Sequence, residues 1–200
     1  MIQDRRDFFQ RLRQLDDRRQ QAFMAALCER LLPNYVFYCQ ALCAEDSGDG
    51  KPMGLRAILD LVWERLAVKE ARIDFDRQAD KLAELEPTGD DSFGARRALD
   101  AVVALSALLD TLRGEAPDAV FEVSRASKGG VRAFIELTEG EDDAERLGEL
   151  VHRHPLMADE LEFQEAVLEV VEGSFDRESL KALRRLGRNE GVSNLGLSAD

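Results

Sequence analysis

Apolar side chains recur every three to four positions from one end of this chain to the other, and no stretch alternates apolar with polar for long enough to build a strand. A chain patterned in this way buries its oily stripes by packing helix against helix, so the sequence predicts an all-α fold. Its 200 residues suit one domain, residues 1–200, built as a bundle of about nine to ten helices. A chain of this size buries roughly 70% of its unfolded surface and needs no disulfide or metal to hold it together.

The stripes place the helices. Phe8, Phe9, Leu12 and Leu15 mark a first helix within residues 1–15, read as peripheral. Phe23, Leu27 and Leu31 mark a second from about 17 to 32, which Pro33 is expected to stop, because the residue before a proline is pushed away from helical angles. The same proline suits the first turn of a third helix reaching Cys43. Residues 44–54, rich in glycine and acidic side chains, read as a loop. A fourth helix follows through Leu55, Ile58, Leu59, Val62, Trp63 and Leu66. A fifth spans about 75–86, capped by Asp74 and ended before Pro87. The sixth, about 93–113, is apolar nearly all round and belongs at the centre of the bundle.

Gly129-Gly130 looks like a break, since each glycine costs ~1 kcal/mol relative to alanine inside a helix. Yet Val120, Val123, Ser127, Val131, Phe134 and Leu137 keep one helical phase across the pair. The sequence therefore predicts one helix over about 117–139, with the glycines allowing a close neighbour. Helices over about 143–152, 155–173 and 176–189 complete the bundle. The tail 192–200 is expected to be non-helical and docked through Leu195 and Leu197.

The net charge of −13 is uneven. Residues 31–176 carry 15 basic and 32 acidic side chains, while both flanking stretches are slightly positive. An acidic middle repels phosphate, so neither nucleic acid nor an anionic membrane is an expected partner. No run reaches the ~18 apolar residues that span a bilayer. The charged start and an odd number of cysteines, three, point to a reducing cytoplasm.

No catalytic triad, phosphate-binding loop or dinucleotide fingerprint is present, and no cofactor is expected. Glu149-x-x-His152 has the spacing of di-iron helices, but a chain with two histidines, at 152 and 154, lacks the second such pair. Cys28, Cys39 and Cys43 could offer zinc soft ligands. They lack the usual tight spacing and sit beside apolar positions, where a thiol packs as a small hydrophobe. No metal site is expected. Two groups remain as candidate binding residues. Arg30, Asn34 and Tyr35 surround the predicted Pro33 corner, with Ser193 and Asn194 in the irregular tail. The carboxylates Asp60, Glu64 and Asp100 interrupt apolar helices, and could equally be polar faces paired with Arg56 and Arg96.

Several stretches, taken in order, carry a resemblance: Leu27-Cys28-Glu29-Arg30-Leu31-Leu32-Pro33-Asn34-Tyr35, Leu59-Asp60-Leu61-Val62-Trp63-Glu64, Val68-Lys69 with Phe75-Asp76-Arg77-Gln78, Leu99-Asp100-Ala101 with Ala104-Leu105-Ser106, Glu122-Val123-Ser124, and Glu190-Gly191-Val192-Ser193-Asn194-Leu195-Gly196. Together they cover roughly 20–197 and resemble the YjaG-like family. The resemblance implies an all-helical bacterial protein of unknown function, at home in the cytoplasm, with a hint of a partner in histidine-kinase signalling. Val102 stands where relatives can carry cysteine, so no thiol chemistry is expected there. The reading favoured from these observations is a helical interaction or regulatory protein and not an enzyme. The alternative is an enzyme or small-ligand binder whose pocket lies near the Pro33 corner and the carboxylates Asp60, Glu64 and Asp100.

Overall fold

The computed structural model describes residues 2–42 and 50–198. Among them the chain forms nine α-helices: α1 Ile2–Gln14, α2 Asp17–Leu42, α3 Gly50–Ala67, α4 Phe75–Ala83, α5 Phe93–Leu112, α6 Ala119–Glu139, α7 Ala144–Arg153, α8 Pro155–Glu172 and α9 Arg177–Arg188. A short 3-10 turn, Asn189–Gly191, leads into the tail. The only β-type pairing among the described residues is one isolated bridge between Val192 and Ser198. The fold is all-α, as the periodicity predicts.

One expectation fails instructively. The second and third predicted helices are a single rod, α2, with Pro33 inside it. Proline there removes the hydrogen bond to the Glu29 carbonyl and costs about 3 kcal/mol. Leu27, Leu31 and Leu32 before it, and Tyr35, Tyr38 and Cys39 after it, are all buried. Burying each large apolar side chain contributes about 1.5–3 kcal/mol, so packing on both sides outweighs the proline. There is no Pro33 corner. At 26 residues α2 is about 39 Å long. It packs along α5 and also meets α3, α6, α8 and α9, which makes it the axis of the bundle.

The predicted central helix, α5, buries Ala95, Ala98, Ala101, Val102, Ala104, Leu105, Leu108 and Leu109 against α2 and α6, but leaves Val103 half exposed. Residues 50–54, expected in a loop, open α3, where Pro52 lies in the first turn and its missing N–H removes no internal bond. The rest of that predicted loop, with Cys43, lies outside the described residues. Asp74 caps α4 as expected, accepting from the Arg77 N–H at 3.0 Å, although α4 ends earlier than predicted. As its helical phase predicts, α6 runs unbroken through Gly129 and Gly130, and it ends at Gly140, whose φ of 63° is left-handed. Leu137, assigned to its packed stripe, is exposed instead.

The main core gathers buried side chains from α1 to α6, α8 and α9. Here α1 contributes the fully buried Leu12 and an aromatic contact between Phe9 and Phe121, while Arg11 hydrogen-bonds Glu165 and Glu172 on α8. A smaller cluster joins Val131 and Ile135 of α6, Leu147 and Val151 of α7 and Met157 of α8 to Leu195 of the tail. The tail therefore docks as predicted.

Candidate functional site: a buried polar seam along the central helix

Three polar residues interrupt the buried face of α2: Glu29, Arg30 and Asn34. Each forces a specific arrangement, because a polar group taken out of water must find a partner. Their side chains lead into two clusters.

Glu29 is the hub of the first. Its side chain is wholly buried, and both oxygens accept from Arg56 Nη1 at 2.8 Å. Trp63 Nε1 donates to it at 2.9 Å and Arg184 Nε at 3.2 Å, and Arg188 Nε lies 3.7 Å away. Arg184 also donates to Asp60, which lies 3.7 Å from Arg56 at the solvent edge. The cluster ties α2, α3 and α9 together. At the same crossing a β-carbon on Gly187 would stand 2.7 Å from the Ala26 carbonyl oxygen, so only glycine lets α9 lie this close.

The second cluster joins α2, α6, α8 and the tail. Arg30 lies with its guanidinium 4.1 Å from the Phe163 ring centroid and its Nε 3.7 Å from Glu160 Oε2. Glu160 Oε1 accepts from Ser127 Oγ at 2.5 Å and from Gln164 Nε2 at 2.7 Å. Gln164 in turn brackets Ser124, donating to its carbonyl at 3.1 Å and accepting from its hydroxyl at 2.6 Å. Asn34 Nδ2 donates to Asn194 Oδ1 at 2.8 Å, and Asn194 Nδ2 donates to the Ser127 carbonyl at 3.0 Å. Burial holds the Glu160 carboxyl above its ordinary range, and only in part do Ser127, Gln164 and Arg30 offset that. Burial likewise lowers Arg30, against the pull of Glu160 and Asp159. Ser193 shapes the tail loop: its Oγ accepts from Leu195 N at 3.1 Å and Leu197 N at 3.3 Å, and its N–H donates to the Leu197 carbonyl at 2.8 Å.

Among the residues singled out from sequence, Arg30, Asn34, Ser193 and Asn194 therefore meet around one seam. Tyr35 does not join them; it donates to the Leu85 carbonyl at 2.7 Å, on the α4 side. Asp60 turns to Arg184 and Arg56, and Glu64 is exposed. Asp100 pairs with Arg97 at 2.9 Å, not with Arg96, which binds Asp91. Burial raises the Asp100 carboxyl, and Arg97 counteracts this. Asp60 and Asp100 thus go to different partners, and Glu64 stands in solvent.

Glu29, Trp63, Ser124, Ser127, Glu160 and Gln164 join the two clusters without standing among the candidate residues of the sequence. Signals were present: Glu29 stands inside the apolar run from Ala22 to Leu32, and Ser127 keeps the apolar phase of α6. Among the described residues no three His, Cys, Asp or Glu side chains are grouped as metal ligands, and no helix is long and apolar enough to cross a membrane.

The class these features define is an all-α bundle whose long central helix carries buried polar groups clamped in two clusters by four other helices and the tail. The chain belongs to the family described as "Protein of unknown function (DUF416)", whose profile matches residues 7–198. It is 37% identical over 192 residues to the "Uncharacterized protein YjaG" of Escherichia coli (strain K12), covering 94% of each chain. It is 36% identical over 198 residues to an uncharacterized protein of Haemophilus influenzae, covering 96% of this chain and 97% of that one. The crystal structure of a DUF416 family protein from Shewanella baltica OS155 superposes with a TM-score of 0.85 at 32% identity, covering 96% of this chain and 98% of that chain. The YjaG-like resemblance is borne out, and the family is one of unknown function.

Proposed function

We propose that the chain is a helical interaction protein that engages a protein partner through the end of its α2–α3 hairpin. The carrying observation is the exposure of Phe37 (48%), Leu42 (56%) and Met53 (72%). These large apolar side chains lie on either side of residues 43–49, at one end of the hairpin. In a chain with 34% charged residues and a net charge of −13, three such groups near one end of the hairpin are the contact residues of this reading, each of which gains by being covered. A cytoplasmic setting belongs to the same reading. The relatives' descriptions name no partner, and the proposal does not include the histidine-kinase link expected from the resemblance. The small-ligand alternative rests on Asp60, Glu64 and Asp100 converging with Arg30 or Tyr35, whereas Asp60 pairs with Arg184, Asp100 with Arg97, and Glu64 is exposed.

The test compares crosslinked capture by the native chain and by a Phe37→Ser/Met53→Ser variant, with sedimentation of both to detect self-association. The expected result is a reproducible partner held by the native chain and lost from the variant, whose helical circular dichroism is unchanged. Equal capture by the two, or a native chain that recovers no partner, overturns the reading.

A further inference from the structure

Three buried polar atoms in the second cluster have no hydrogen-bond partner: Arg30 Nε, Asn34 Oδ1 and Glu160 Oε2. Their residues are 7%, 4% and 0% exposed, so bulk water does not reach them freely. The orphaned atoms are not a matter of which way an amide is drawn. The Ser127 carbonyl can only accept, so Asn194 must turn its NH2 toward it and present Oδ1 to Asn34. Asn34 must then donate, which leaves its own Oδ1 as the free acceptor. The Ser124 carbonyl fixes Gln164 in the same manner, and Gln164 and Ser127 both spend their donors on Glu160 Oε1, leaving Oε2 bare. Arg30 and Asn34 are one helical turn apart on the same face of α2, and Arg30 Nε lies 3.7 Å from Glu160 Oε2, too far for a direct bond.

We propose that this seam is a binding site for one resident water molecule, held by Arg30 Nε, Asn34 Oδ1 and Glu160 Oε2 and closed over by Asn194. The constellation offers one N–H and two acceptor oxygens, and its complement is a group with two donors and at least one acceptor. Water has that inventory. A metal ion or ammonium cannot accept from Arg30, and a halide cannot serve the two oxygens. Three hydrogen bonds are the usual number for an internal water. Asn194 makes the tail the closure: its side chain bridges α2 and α6 beside Gly130, where an added β-carbon would come within 3.6 Å of Asn194 Nδ2.

The test is a high-resolution crystal structure of the full chain, with a second crystal soaked in rubidium bromide. The expected result is a single peak about 2.7–3.2 Å from all three atoms, without anomalous signal in the soaked crystal. An anomalous peak there, absence of any peak, or side chains that have turned to pair directly overturns the proposal. In solution, the Arg30 Nε–H should show a cross-relaxation signal to a long-lived water that disappears in Asn34→Leu. Its absence from the folded native chain would be equally decisive against the site.

Discussion

Gly187 lies so close to Ala26 that a β-carbon at position 187 would stand 2.7 Å from the Ala26 carbonyl oxygen and 3.0 Å from its Cα. Both obstacles are backbone, so neither can swing aside. Gly187→Ala should lower stability by about 1–3 kcal/mol, the usual range for overpacking a tight contact. The midpoint of urea unfolding reads this directly, and an unchanged midpoint would mean that α9 does not sit where it is placed here.

The paired glycines of α6 should respond differently from each other. Nothing lies within 4 Å of a β-carbon at Gly129, whereas one at Gly130 would meet Asp100 Oδ2 at 3.3 Å. Gly129→Ala should therefore stabilise by about 0.5–1 kcal/mol through helix propensity alone. Gly130→Ala should gain less or lose. Equal gains at both positions would contradict the close approach of α5 and the tail.

Glu29 should be far more costly to remove than its neighbour Asp60. Glu29→Ala strands Trp63 Nε1 and leaves Arg56 and Arg184 with Asp60 alone as their acidic partner in the cluster. Breaking a buried pair costs about 3–5 kcal/mol, and the two arginines can turn toward solvent, so the lower end of that range applies. Asp60→Asn alters an exposed pair worth about 0–1 kcal/mol. Denaturant midpoints of the two variants decide between a hub at Glu29 and a diffuse ionic patch.

Burial raises the Glu160 carboxyl above its ordinary value of 4.5. The folded state therefore holds this proton more tightly than the unfolded state does. The contribution is fully favourable below the unfolded value and is lost as pH rises from about 4.5 through the raised folded value. Glu160→Gln should thus flatten the fall in stability over that interval relative to the native chain. Urea midpoints collected from acid to neutral pH would show it, and parallel curves for the two proteins would count against a strained carboxyl at 160.

The Cys28 thiol is fully enclosed, and desolvation, reinforced by Glu29, pushes it far above the ordinary thiol value. Since the thiolate is the reactive form, Cys28 in a Cys39→Ser/Cys43→Ser variant should react with thiol reagents orders of magnitude more slowly when native than in denaturant. Prompt labelling of Cys28 in the folded variant would show that α2 opens locally.

Periodicity alone carried most of the helices, including the passage of α6 through its two glycines, because a phase kept over six apolar or small positions outweighs a local propensity. It failed at Pro33, where the deciding term was burial on both flanks by α5, α9 and α3, partners that a local reading cannot see. The candidate residues show the same division. Asn34 and Asn194 could be suspected separately, but their pairing depends on where the tail crosses α2. Glu160 carried no local mark that set it apart from the exposed acidic residues around it on α8. Only the position of Ser127 and Arg30 across the helix interface makes it an interior group.

Asn34 and Asn194 are 160 positions apart, Arg11 and Glu172 161, and Glu29 and Arg184 155. A chain leaving the ribosome with its first residues leading cannot close any of these contacts until 155–161 further residues have followed the first partner out. During synthesis Glu29 can meet Arg56 and Trp63 as soon as α3 follows, but Arg30 and Asn34 must wait unmatched for α8 and the tail, so the second cluster closes late.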